Sequence, residues 1–216
     1  VVTGGLGGLG VLASTWLSQG GLHTSTLTGR SGRSALAPSH VLSARPTGVR
    51  MVRADAGCSD DMQYSAGRGD VRRPAEPPVA GVIHSGGAIL DAPIARQSSW
   101  RVRGVIGGKA GGALRLAQGG SATMADNLEW CAMFSSVASM IGSPAQSNYS
   151  AANAMLDARA LEMQREGMDA LAIQWGAWTA SGIAFRSRIT MHHFIRLGFG
   201  AVSPESGLSA LGRVLG

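Results

Sequence analysis

A short stretch of this 216-residue chain brings two serines, Ser135 and Ser136, close to Tyr149 and Asn153. The apolar run Ala132-Met133-Phe134 reads as a buried strand that delivers the two serines to its carboxyl end. Tyr149 opens a helix-like segment, with Asn153 four residues on. Positions i and i+4 share a helix face, so phenol and amide can address one small volume. A hydroxyl, a phenol and an amide converging at strand ends suit proton delivery to a carbonyl oxygen.

Such a constellation needs a scaffold, and the first ten residues suggest one. Gly5, Gly7 and Gly10 in Gly5-Leu6-Gly7-Gly8-Leu9-Gly10 satisfy G-x-G-x-x-G between a strand stub and an apolar helical pattern. Glycines there let the backbone approach a pyrophosphate, whose charge rests at the helix N-terminus. A second strand is read over His23 to Thr28. Twenty residues after Gly10 stands Arg30, where a binder of NAD usually has an acidic residue. An arginine suits the 2′-phosphate of NADP. Further strands are read at Val49–Arg53, Val79–Ile83 and Ala170–Gln174, with a long helix over 97–118. The alternation of strands and helices predicts an α/β doubly wound parallel sheet, Rossmann-like, with ligands at its carboxyl edge.

Composition narrows the classes. The net charge of +6 comes from scattered arginines, with no basic run interleaved with aromatics, so nucleic acid is not expected as a partner. No apolar stretch is long enough for a membrane span, and the N-terminus has no signal-peptide features. Cys58 and Cys131 offer neither metal spacing nor a disulfide framework, which fits a reducing, cytoplasmic setting. Cys131 reads as a small core residue, and no metal is expected. Val1-Val2-Thr3-Gly4 looks like a strand whose start is missing. The expectation is one domain over 1–216, excised from a larger polypeptide and truncated at both ends.

The wording around Tyr149 resembles a known family. Phe134-Ser135-Ser136, Gly142-Ser143-Pro144-Ala145-Gln146-Ser147-Asn148-Tyr149, Ala151-Ala152-Asn153-Ala154 and Leu156-Asp157 resemble the ketoreductase domain of modular polyketide synthases, a branch of the short-chain dehydrogenase/reductase superfamily. Animal-type fatty acid synthases carry a related domain. Most of the superfamily has Lys where this chain has Asn153; in this branch a lysine from an earlier helix replaces it. The chain's single lysine, Lys109, lies in Gly108-Lys109-Ala110-Gly111-Gly112-Ala113, which resembles the segment carrying that lysine.

The resemblance implies further roles. Asp55 would bond the adenine amino group. His84-Ser85-Gly86-Gly87 resembles the His-Ala-Ala-Gly turn beneath the cofactor, which involves Ser85 and Gly86, with His84 orienting the turn. Trp175-Gly176-Ala177-Trp178 resembles the turn over the nicotinamide, which involves Gly176 and Ala177. Ser187 to Leu197 resembles a lid helix over substrate. In the interval 57–78 the family has a well-formed helix, and little periodicity supports one here. Met155, Leu156, Ala160, Leu161 and Met163 read as a core stripe. Pro144 and Asn148 lean towards the class giving a D-configured hydroxyl, although Ile89-Leu90-Asp91-Ala92 holds only part of that class's Leu-Asp-Asp motif.

The resulting expectation is NADPH-dependent reduction of a β-ketoacyl thioester on an acyl carrier protein, within a polyketide or fatty acid synthase. Tyr149 would be the acid, Ser136 a second donor to the same oxygen, Lys109 the stabilising cation and Asn153 its support. The acyl chain would ride on phosphopantetheine, and other synthase domains would be partners. Competing readings are a free-standing reductase of small carbonyl compounds and a non-catalytic module that keeps the fold for docking.

Overall fold

The computed structural model describes residues 1–34, 48–65, 79–117, 128–179, 195–196 and 198–215. Six parallel strands form one sheet: β1 Val2–Thr3, β2 Thr24–Gly29, β3 Gly48–Arg53, β4 Gly81–His84, β5 Trp130–Ser136 and β6 Asp169–Trp175. Their order is β3-β2-β1-β4-β5-β6. The helices are α1 Gly8–Gln19, α2 Ser59–Ser65, α3 Ser99–Ala117, α4 Ala138–Ile141, α5 Ser147–Arg165 and α6 Pro204–Leu215. The order reverses between β1 and β4, which opens the crevice where such sheets bind ligands.

Strand periodicity divides the core into two layers. Val82, Cys131 and Met133 point to one face and meet Ala113, Leu156, Ala160 and Met163 from α3 and α5. Their neighbours Ile83, Ala132 and Phe134 point to the other face, with Val2, Leu27 and Leu211. Both faces are covered, so these strands read as continuous apolar runs rather than alternating ones. Cys131 is in the core, 1% exposed.

Strands β3, β5 and β6 extend one or two residues beyond their expected bounds, β2 lies one residue later than expected, β4 starts two residues later and ends one later, and the core stripe is narrower than expected. Leu156, Ala160 and Met163 are buried, but Met155 and Leu161 are 40% and 55% exposed. Those two positions fall off the face of α5 that packs on the sheet. A second correction concerns 57–78: α2 forms over Ser59–Ser65, with Asp60 and Asp61 in its first turn. Two acidic groups near the positive end of a helix favour a start that apolar periodicity does not announce. The readings at 34–48 fall almost wholly outside the described residues, as do 66–78 and nearly all of the lid-like segment.

Candidate active site

The glycine turn is built by close backbone approach. Gly4 has φ of +68°, and a Cβ on it would stand 2.6 Å from the Cα of Gly86. A Cβ on Gly10 would meet Ser85 Oγ at 2.9 Å. The turns after β1 and β4 therefore pack against each other without side chains between them. Ser85 locks them further, since its N–H and its hydroxyl both donate to the Thr3 carbonyl at 2.9 Å. Helix α1 starts at Gly8 with no side-chain cap and no acidic residue in its first turn. Its leading N–H groups are thus available to an anion.

The cofactor positions read from sequence divide by what they present. Gly7, Gly8 and Leu9 lie at the open start of α1, whereas Gly5 and Leu6 are buried beneath the turn. Leu6, 3% exposed, packs in the core, so only its backbone can serve a ligand. Arg30 is exposed at the end of β2. Beside it lies a residue that the sequence reading passed over: Arg53 Nε donates to the Arg30 carbonyl at 3.2 Å. Asp55 follows β3, where its Oδ1 accepts from the Gly57 N–H at 2.9 Å. After β6, Ala177 is 4% exposed and its carbonyl accepts from Val202 N–H at 2.7 Å. Trp175 and Trp178 flank Gly176 and Ala177 as core rings in edge contact, 5.1 Å between centroids.

The residues expected to handle protons meet at the carboxyl end of β5. Helix α3 sends the Lys109 amine inward, where it donates to the Phe134 carbonyl at 2.8 Å and lies 5.4 Å from the Tyr149 ring centroid. Lys109 is 4% exposed. Burial pulls its pKa down from 10.5 to about 8, with Asp157 pulling the other way. The Tyr149 phenol is pushed above its ordinary value by burial, while hydrogen bonds from Asn153 and Ser136 act to lower it. Ser136 Oγ accepts from the Ala138 N–H at 3.2 Å, so its own proton is the one that hydrogen-bonds the Tyr149 phenol. Asn153 Nδ2 donates to the Tyr149 carbonyl at 2.8 Å, and its buried Oδ1 has no partner among the described residues.

Three contacts seat the start of α5. Gln146 Nε2 donates to both Asp91 carboxylate oxygens at 3.0 and 3.2 Å, and Asn148 Nδ2 donates to the Leu90 carbonyl at 2.9 Å. The Ala92 N–H donates to the carbonyl of Ala145, whose φ of 61° lies in the left-handed region. Burial raises the Asp91 carboxyl above its ordinary value, countered by the Gln146 amide. Gln146 was not among the residues singled out from sequence. Only its place three residues before Tyr149 could have marked it.

A doubly wound sheet with this glycine turn and a Ser, Tyr, Asn and Lys cluster defines an oxidoreductase domain of short-chain dehydrogenase/reductase type. The family described as KR domain matches residues 1–180, and the chain belongs to that family, the keto-group-reducing domain of polyketide synthases. It is 29% identical over 226 residues to one of the phenolphthiocerol/phthiocerol polyketide synthase proteins of Mycobacterium tuberculosis, covering 97% of this chain and 12% of that protein. A type I polyketide synthase of phenolphthiocerol synthesis from Mycobacterium marinum is 32% identical over 223 residues, covering 100% and 10%. The chain thus spans about a tenth of the length of these relatives. Among solved structures, A-type ketoreductases from a modular polyketide synthase superpose with TM-score 0.85 at 29% identity, over 99% of this chain and 44% of theirs. The first ketoreductase of the tylosin synthase superposes with TM-score 0.83 at 29% identity, over 97% and 44%. Among the described residues no helix is long and apolar enough to cross a membrane.

Proposed function

We propose that this domain uses NADPH to reduce a β-ketoacyl thioester, carried by the phosphopantetheine arm of an acyl carrier protein, to the β-hydroxyacyl thioester. The observation that carries the reading is the convergence of Lys109, Tyr149 and Ser136 at the carboxyl end of β5, beside a glycine turn whose helix start is free for an anion. Arg30 and Arg53, neighbours at the carboxyl ends of β2 and β3 where Arg53 Nε donates to the Arg30 carbonyl, favour the 2′-phosphate of NADPH over the bare ribose of NADH. The closely packed turns at Gly4, Gly10 and Ser85 fit a pyrophosphate approached by backbone alone. NADPH would supply the hydride to the keto carbon.

The protein's own groups handle the oxygen. The Ser136 hydroxyl donates to the ketone and holds it towards the phenol. Tyr149, kept protonated by burial, donates its proton to the developing alkoxide. The Lys109 ammonium has three protons and commits one to Phe134, leaving two to face the phenolate as it forms. Asn153 Oδ1 then serves as an acceptor for that ammonium or for a relay water. Other domains of a parent synthase would deliver the carrier.

The test is NADPH oxidation with a β-ketoacyl thioester, comparing wild type with Tyr149→Phe. Turnover in the wild type that vanishes in the variant, with NADPH binding intact, supports the reading. Equal negligible rates with intact binding would support the docking-module alternative, and failure to bind NADPH would overturn the cofactor.

A further inference from the structure

Among the buried titratable groups the machinery above leaves unused, His84 is the one that touches Lys109. His84 ends β4 and is 0% exposed. Its Nε2 lies 2.7 Å from the Lys109 carbonyl and its Nδ1 lies 2.5 Å from Thr3 Oγ1. A carbonyl only accepts, so Nε2 carries the proton, and Nδ1 accepts from the Thr3 hydroxyl. Burial and the nearby Lys109 hold the imidazole down at about 4, so it stays neutral. Both ring nitrogens are spent, and neither can reach a substrate. The imidazole spends none of its bonds on the Ser85–Gly87 turn that it was expected to orient.

The helix it touches is shaped to receive it. A Cβ on Gly112 would stand 2.7 Å from His84 Cε1 and 3.0 Å from the Ala56 Cβ. The glycines that cost α3 helical propensity thus bring its backbone down onto the imidazole. The residue whose carbonyl takes the His84 proton is the same residue whose amine reaches Phe134 and the Tyr149 ring.

We propose that His84 is a positioning residue for Lys109: its neutral ring ties the Lys109 carbonyl to Thr3 at the glycine turn and sets how deep α3 presents the amine beside Tyr149. This inference rests on the reading of Lys109 as the cation that supports the Tyr149 phenolate. It links the strand end that leads into the cofactor turn with the group that stabilises the acid. A volume-filling residue at position 84 would keep the packing and lose the tie.

Lys109 is the only lysine, so lysine labelled with carbon-13 at Cε reports on it alone. The charged and titratable groups facing its amine among the described residues are Tyr149 and Asp157 on α5 and His84 on β4. In His84→Leu, the Lys109 titration is expected to rise by about one unit or more towards its ordinary value, as the amine loses its buried seat. With it, kcat is expected to fall about tenfold or more, with KM for the thioester within about threefold. His84→Gln, whose amide can donate to the Lys109 carbonyl and accept from Thr3, is expected to restore both. A folded His84→Leu with unchanged Lys109 titration overturns the proposal, as do equal losses in the Leu and Gln variants. If His84→Leu lacks a cooperative melt, Thr3→Val decides: it must move the Lys109 titration in the same direction, and no movement overturns the proposal. A wild type that never turns over would defeat the proposed reaction, while the titration would still decide the role of His84.

Discussion

The Lys109 amine, carried by α3, hydrogen-bonds the main-chain carbonyl of Phe134 on β5 at 2.8 Å. The phenol-bearing helix α5 supplies neither partner of that bond. Lys109 is thus anchored to the sheet, and the sheet presents it to the Tyr149 ring. In superfamily members with lysine four residues after the tyrosine, both groups ride on one helix. Separating them makes the site depend on the packing of α3 against α5.

Removing the phenolic oxygen leaves that packing in place. Tyr149→Phe is expected to lower kcat by roughly 100-fold or more, the usual contribution of a positioned acid. The dissociation constant for NADPH, measured by fluorescence, should stay within about threefold.

Ser136→Ala removes both a donor to the ketone and the acceptor for the Ala138 N–H. A kcat loss on the order of 100-fold is expected from the missing donor. The stability loss, read from a thermal melt, should be only about 1 kcal/mol, because Ala138 sits at the start of a short helix where another acceptor or water can serve.

Lys109 predicts a pH dependence of stability. Its value falls from 10.5 to about 8 on folding, so below pH 8 both states carry the charge and the fold bears the full desolvation cost. Between 8 and 10.5 only the unfolded chain keeps the proton, and stability climbs with pH. Cys131, raised from 9.0 to about 12, opposes this above pH 9, as does the raised Tyr149 above pH 10. The rise contributed by Lys109 should therefore show between pH 8 and 9, above the rise between pH 6 and 8 from the Val1 amine, which burial lowers from 8.0 to about 6. Lys109→Met should be more stable than wild type at pH 7, by up to roughly 3 kcal/mol, and this advantage should shrink towards pH 10.5. Urea melts across that range check it.

Cofactor choice is expected to rest on the arginine pair. Arg30→Ala should raise KM for NADPH about tenfold while changing KM for NADH little, since only the former loses a phosphate contact. Arg53→Ala should do the same to a smaller degree, because Arg53 also steadies the Arg30 carbonyl. Steady-state kinetics with each nucleotide separate the two.

The turn tolerates little. Gly4→Ala must accept a left-handed φ and a Cβ in the backbone of Gly86. A destabilisation of about 3 kcal/mol or more is expected, with NADPH binding lost in whatever remains folded. A melt with and without nucleotide reads both.

Much of the scaffold was legible in the chain because it rests on local signals. Apolar runs gave the strands, the run Gly5 to Gly10 gave the first βα turn, and i, i+4 spacing gave the shared face of Tyr149 and Asn153. Two kinds of feature escaped. Helix α2 begins on paired aspartates rather than on periodicity, and Met155 and Leu161 look like core until the orientation of α5 is known. The site residues that escaped, Arg53, Gln146 and the Lys109-holding role of His84, each act on a partner far along the chain. Arg53 meets Arg30 through the pairing of β2 with β3. Gln146 reaches Asp91, and His84 reaches both Thr3 and Lys109. By itself, then, the sequence determined the order of elements, the family and the candidate residues proposed for proton transfer. Tertiary structure alone decided how Lys109 is held and which polar groups brace the site. Those depend on distances between segments that local pattern does not encode.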